Sequence, residues 1–144
     1  TVHKLKDHWT CRGQSIMYYP FYSLGAAVYF DYDEFGGGNP ELYTKRYQEK
    51  NPILWQNFQW LYEKLQKHCE AKYDAKFDYY SEKSALPGFH VFLDDDLFEI
   101  PLAAKHTDLQ WRSIDWQGRE YDTSRTLSFT LYVELPKLGG WLYA

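Results

Sequence analysis

The chain has 144 residues, the size of one domain, and its 44% hydrophobic and 20% aromatic content is enough for a packed core. A formal net charge of -4, with basic residues dispersed and no Lys/Arg run, excludes the electrostatic footprint of a nucleic-acid or anionic-lipid binder. No apolar run approaches the roughly 20 residues that span a bilayer, and no signal peptide opens the chain, so a cytoplasmic protein is expected. Cys11 and Cys69 lie far apart in aromatic surroundings, which suits reduced thiols, although one disulfide stays open as an alternative. Thr1 in place of a methionine, and a last stretch from Gly139 to Ala144 with no polar tail, read as two cut ends.

In chain order, Tyr18 to Tyr32 is an aromatic-rich buried element around Leu24-Gly25-Ala26-Ala27, with a period that fits helix and strand equally. Gly36-Gly37-Gly38 forms a loop, after which Asn39 is an N-cap and Pro40 the first helical residue, predicting a short helix to about Gln48. Asn51-Pro52 repeats the start signal. Leu54, Phe58, Leu61, Leu65 and Cys69 then share one face of a helix that should run to about Ala71, with Glu63, Lys64 and Lys67 on its solvated side.

Beyond Tyr73 the pattern changes to alternation and turns. Strands are expected in Lys76-Ser81, Gly88-Leu93, Ala103-Gln110, Thr126-Leu135 and Gly140-Ala144. The fold class implied is α+β, with N-terminal helices packed on a β-sandwich or jelly roll. The jelly roll is incomplete at the C-terminus, since these strands fall short of the about eight that a double-sheet version needs. Residues 1-144 form a single domain in this reading, with 1-73 a helix-rich support and 74-144 the front part of the jelly roll.

The chemistry-bearing residues are in Lys105-His106-Thr107-Asp108. Side chains two apart on a strand share a face, so His106 and Asp108 can direct an imidazole nitrogen and a carboxylate oxygen at one point. Two histidines and a carboxylate on one face of an octahedral ion make the site of non-haem Fe(II) oxygenases. A lone His-x-Asp triplet also arises by chance, and a strand histidine is commonly structural, so the downstream context matters.

That context is Arg125-Thr126-Leu127-Ser128-Phe129-Thr130-Leu131-Tyr132-Val133, followed by Gly139-Gly140-Trp141-Leu142. Together with His106-x-Asp108, this order resembles the Fe(II)- and 2-oxoglutarate-dependent oxygenases of the prolyl-hydroxylase-like type. The Leu86-Pro87-Gly88-Phe89-His90-Val91-Phe92 segment sits where those enzymes place the strand entering the core. The resemblance covers the second part of the chain, and the front half carries no subfamily signature.

The resemblance implies a double-stranded β-helix, Fe(II) held by His106, Asp108 and a distal histidine, and 2-oxoglutarate as co-substrate. None of the five histidines follows His106, so the distal ligand and the basic residue for the far carboxylate are missing. Ser128, Thr130 and Tyr132 fall on one face of their expected strand, and hydroxyls there can donate to a carboxylate. Tyr132 matches the position that often contacts 2-oxoglutarate in the resembling families, with Thr130 second. A strand offering hydroxyls to water would show the same pattern.

Asp94-Asp95-Asp96 with Glu99 lacks the spacing of a calcium loop and reads as a solvated turn. His90 reads as a core or cavity-wall residue, and Trp111, Trp116 and Tyr121 as candidates for a substrate mouth. The leading function is thus an oxygenase acting on a small molecule or a peptide side chain. A non-catalytic jelly-roll binding or interaction module is the alternative, and a cupin-like metalloenzyme is disfavoured because the histidines are not clustered. Association through unpaired sheet edges is also expected.

Overall fold

The computed structural model describes residues 1–13, 20–32, 38–96 and 126–134, and singly Arg112, Ile114, Trp116, Gly118, Glu120, Asp122 and Ser124. After a 3-10 helix at Val2–His8, the elements are β1 (Thr10–Cys11), β2 (Phe21–Leu24), α1 (Val28–Asp31), α2 (Pro40–Tyr73) and β3 (Phe89–Phe92). The strands form one antiparallel sheet in the order β1-β2-β3, and α2 packs against it.

The aromatic stretch with the ambiguous period is two elements. Gly25, at φ 113°, turns the chain from β2 into α1. Only glycine takes that backbone conformation without strain, and a Cβ there would meet Gly88 Cα and Leu54 Cδ1 at 3.2 Å each.

The α2 start follows its sequence signal: Asn39 Oδ1 accepts from Leu42 N at 2.8 Å, and Pro40 opens the helix. The second start signal is overturned, because α2 runs unbroken for 34 residues with Pro52 inside it. Proline withholds the N–H that Gln48's carbonyl would accept from, but Gln48 and Pro52 are exposed, so water can take that carbonyl. Asn51 is buried instead of capping. Its Nδ2 donates to Ser81 O and Ser84 O, and its Oδ1 accepts from Leu86 N, all at 2.9 Å. These bonds tie the middle of the helix to the 81–86 loop. The helix ends where Asp74 adopts the left-handed conformation at φ 48°.

One stripe of α2, comprising Tyr43, Tyr47, Asn51, Leu54, Phe58, Tyr62 and Cys69, is buried. Leu54, Phe58 and Tyr62 join Leu24 and Leu86 in the main core, and Phe58 lies 4.5 Å from Phe89. Tyr62 donates to Pro87 O and Tyr79 donates to Tyr62 O, both at 2.8 Å, so the phenols enter the apolar layer with satisfied hydroxyls. Burial, the dominant cause, pushes the Tyr43, Tyr62 and Tyr79 phenols up.

The expected double-stranded β-helix is not what the described residues form. They make a single small sheet, two of whose strands come from the front region expected to be helical support. Of the expected strands, Gly88-Leu93 is present as β3, whereas Lys76-Ser81 is irregular and enters a turn. Residues 126–134 of the expected Thr126-Leu135 strand carry no strand structure and are exposed throughout. Phe129 is 62% and Tyr132 49% exposed, so the two faces of the alternation are not sorted by burial. Alternation in β-branched and aromatic residues favours a half-buried surface, and residues 126–134 bury neither face. Ala103-Gln110 and Gly140-Ala144 lie outside the described residues.

Candidate functional site

The register Phe21↔Phe92, Tyr22↔Val91, Ser23↔His90, Leu24↔Phe89 sorts the sheet into two faces. Leu24 and Phe89 meet α2. The other face carries Phe21, Ser23, His90 and Phe92, and Arg12 joins it because its N–H donates to Phe21 O at 2.8 Å just beyond β1. Chemistry-bearing side chains of the described residues therefore converge on the face opposite Leu24 and Phe89.

The centre of this face is a buried ion cluster. Arg12 Nη1 and Nη2 donate to Asp31 Oδ1 and Oδ2 at 2.6 and 2.8 Å, and Arg12 Nε donates to Ser23 Oγ at 2.7 Å. The two side chains are 6% and 1% exposed. Asp31 also accepts from Ala27 N at 2.8 Å, and Arg46 Nε forms an ion pair with Asp31 Oδ1 at 3.2 Å. Arg12 lies over the Phe30 ring at 5.0 Å. One carboxylate thus serves two guanidiniums and one backbone amide, which satisfies a buried anion but leaves the cluster with a positive excess.

Beside the cluster, Tyr29 Oη lies 2.7 Å from His90 Nε2. His90 is exposed as a residue, yet its ring is flanked by Phe21 at 5.5 Å and Tyr29 at 5.9 Å. Desolvation first, and the Arg12 charge second, lower the His90 pKa from its ordinary 6.5. His90 is therefore neutral at pH 7, and in the Nδ1-protonated tautomer its Nε2 accepts from Tyr29. Phe92 stacks on Phe21 at 4.5 Å and 8° and is itself 59% exposed, extending an aromatic surface past His90. Such a surface can hold a flat or apolar group beside a hydrogen-bonding imidazole.

No family model, curated protein or solved structure matches this chain.

The residues singled out from the sequence distribute as follows. His106 and Asp108 lie outside the described residues, as do Glu99, Trp111 and Tyr121. Thr130 and Tyr132 are both exposed, on irregular backbone. Among the described residues, no group of three or more His, Cys, Asp and Glu side chains is placed to hold a metal, so Asp94, Asp95 and Asp96 form no such group. Trp116 stacks on Tyr80 at 5.7 Å and 8°. Both cysteines are free thiols, Cys11 half-buried and Cys69 buried. No described helix is long and apolar enough to cross a membrane.

Arg12, Tyr29, Asp31 and Arg46 were missed by sequence reasoning. Arg12 and Asp31 are 19 positions apart and fall in no motif. The available signal was an aspartate inside an apolar run, Val28-Tyr29-Phe30-Asp31, which needs a cationic partner if it is buried.

Proposed function

We propose that this chain carries two of the three protein ligands of an Fe(II)- and 2-oxoglutarate-dependent oxygenase, His106 and Asp108. The substrate class is a small molecule or a peptide side chain, and the compartment is the cytoplasm. The observation that carries the reading is sequence order: His106-x-Asp108, then the hydroxyl-bearing Arg125 to Val133 segment, then Gly139-Gly140.

The donor types fit ferrous iron. A neutral imidazole and a carboxylate are two members of the facial triad, and Asp108 offsets one of the two positive charges on the ion. On an extended backbone the two side chains share a side, so two of the three facial positions come from one short segment. The bound iron would supply the activation of O₂ that couples decarboxylation of 2-oxoglutarate to oxidation of the substrate. The hydroxyls of Tyr132 and Thr130 are candidates to donate to a carboxylate of the co-substrate.

A non-catalytic interaction module is the second reading. The exposed apolar side chains Leu127, Phe129, Leu131 and Val133 favour it.

The two readings separate on turnover. With Fe(II), O₂ and 2-oxoglutarate, a form of the protein that supplies the third ligand should produce succinate, and His106→Ala or Asp108→Ala should abolish both metal binding and succinate formation. Undiminished succinate formation by the His106→Ala protein would overturn the oxygenase reading. This chain alone, with two ligands, should bind Fe(II) weakly in a direct titration.

A further inference from the structure

The positive excess of the Arg12, Asp31 and Arg46 cluster has an outlet at the surface. Arg46 spends only its Nε on Asp31, and its side chain is 21% exposed. Its Nη1 and Nη2 have no partner among the described residues. A guanidinium presents five N–H donors in a planar fork, so most of this one's capacity is unused.

Arg46 lines a groove of about 400 Å³ between β1 and the first half of α2, together with Trp9, Thr10, Lys45, Glu49 and Lys50. Arg46 and Lys50 are one helical turn apart and share a side of α2, with Lys45 beside them. Three cations there face a single carboxylate, Glu49. No carboxylate among the described residues lies within ion-pair distance of Lys45 or Lys50, not even Glu49 at i+4 from Lys45. Asp31 is shared between Arg12 and Arg46, so its one negative charge offsets only one of the two guanidiniums.

We propose that this groove is a binding site for a small doubly charged oxyanion, either a phosphomonoester or a dicarboxylate. Two ligand oxygens take the Arg46 fork, Lys45 and Lys50 supply the remaining positive charge, and the Trp9 ring forms an apolar wall for the rest of the ligand. Water can satisfy individual N–H groups in the empty groove but does not neutralise its charge. The proposal does not depend on the oxygenase reading.

The test is calorimetric titration of the chain at low ionic strength with inorganic phosphate in one arm and succinate in the other. Arg46→Gln removes the fork but also an Asp31 partner and could unfold the protein, so the decisive variant is the double substitution Lys45→Gln and Lys50→Gln. Those lysines hold no ion pair, so the fold should be unchanged by circular dichroism. Saturable 1:1 binding is expected, weakened about tenfold or more by the double substitution and by raising salt to roughly 0.15 M. Preference for phosphate would assign a phosphomonoester, and preference for succinate a dicarboxylate. Absence of saturation in both arms, or affinity unchanged in the double variant, would overturn the proposal.

Discussion

Arg12 and Asp31 face each other fork to fork, at 2.6 and 2.8 Å, with almost no solvent exposure on either side. The pair joins the end of β1 to the end of α1. Breaking a buried pair from one side leaves an uncompensated charge, at a cost of about 3–5 kcal/mol. Asp31→Ala should approach that loss in urea unfolding because it strands two guanidiniums, and Arg12→Met should cost less because Arg46 still neutralises Asp31. Equal, small effects from both substitutions would show that water reaches the pair.

Asn51 makes three side-chain bonds to the 81–86 loop and no cap. Asn51→Ala should destabilise by about 1–3 kcal/mol for each loop group left buried without a partner. Pro52→Ala should not destabilise, since it restores the N–H that the continuous helix lacks. If Pro52 instead opened a separate helix, its replacement would lower the helical signal.

The lowered His90 pKa sets a pH window. The unfolded chain binds a proton near 6.5 while the folded chain resists it, so the unfolded state carries more protons between the folded value and 6.5. Stability from this group is therefore complete above about 6.5 and falls as pH drops towards the folded value. His90→Gln should flatten this part of the stability curve measured by thermal unfolding at a series of pH values. An unchanged curve would place the transition on another group.

Tyr132 is half-exposed, so removing its hydroxyl should leave stability within about 0.5 kcal/mol of the parent. In an iron-loaded enzyme under the proposed reading, Tyr132→Phe should raise the 2-oxoglutarate requirement about ten- to a hundredfold, the worth of one charge-assisted hydrogen bond. Metal binding should survive. A 2-oxoglutarate requirement equal to that of the parent would remove Tyr132 from the co-substrate site.

Leu127, Phe129, Leu131 and Val133 each leave about half or more of their surface exposed, within one β-prone segment. Concentration-dependent association is expected in sedimentation velocity, and Phe129→Asp should shift it towards monomer. A monodisperse parent at high concentration would show that these side chains are covered in solution.

What the sequence determined by itself was local. The Asn39-Pro40 cap, the β3 strand and a helix end, expected at about Ala71 and found at Tyr73, were legible because each depends on neighbours within a turn or two of the same element. Of the expected stripe Leu54, Phe58 and Cys69 are buried, whereas Leu61 and Leu65 are only half-buried and Tyr62 is buried instead. Pro52 misled because its start signal is the same in either context, and the outcome was decided by the buried stripe on both sides and by Asn51 reaching residues 81–86. The ambiguity of Tyr18 to Tyr32 was resolved by Gly25 turning against Gly88, a contact between positions far apart in the chain. The pairing of Arg12 with Asp31, the facing of Tyr29 and His90, and the sheet built from both halves of the chain were likewise set by tertiary structure alone. Burial fixes which polar groups must find partners, and only the packed fold decides which partners are within reach.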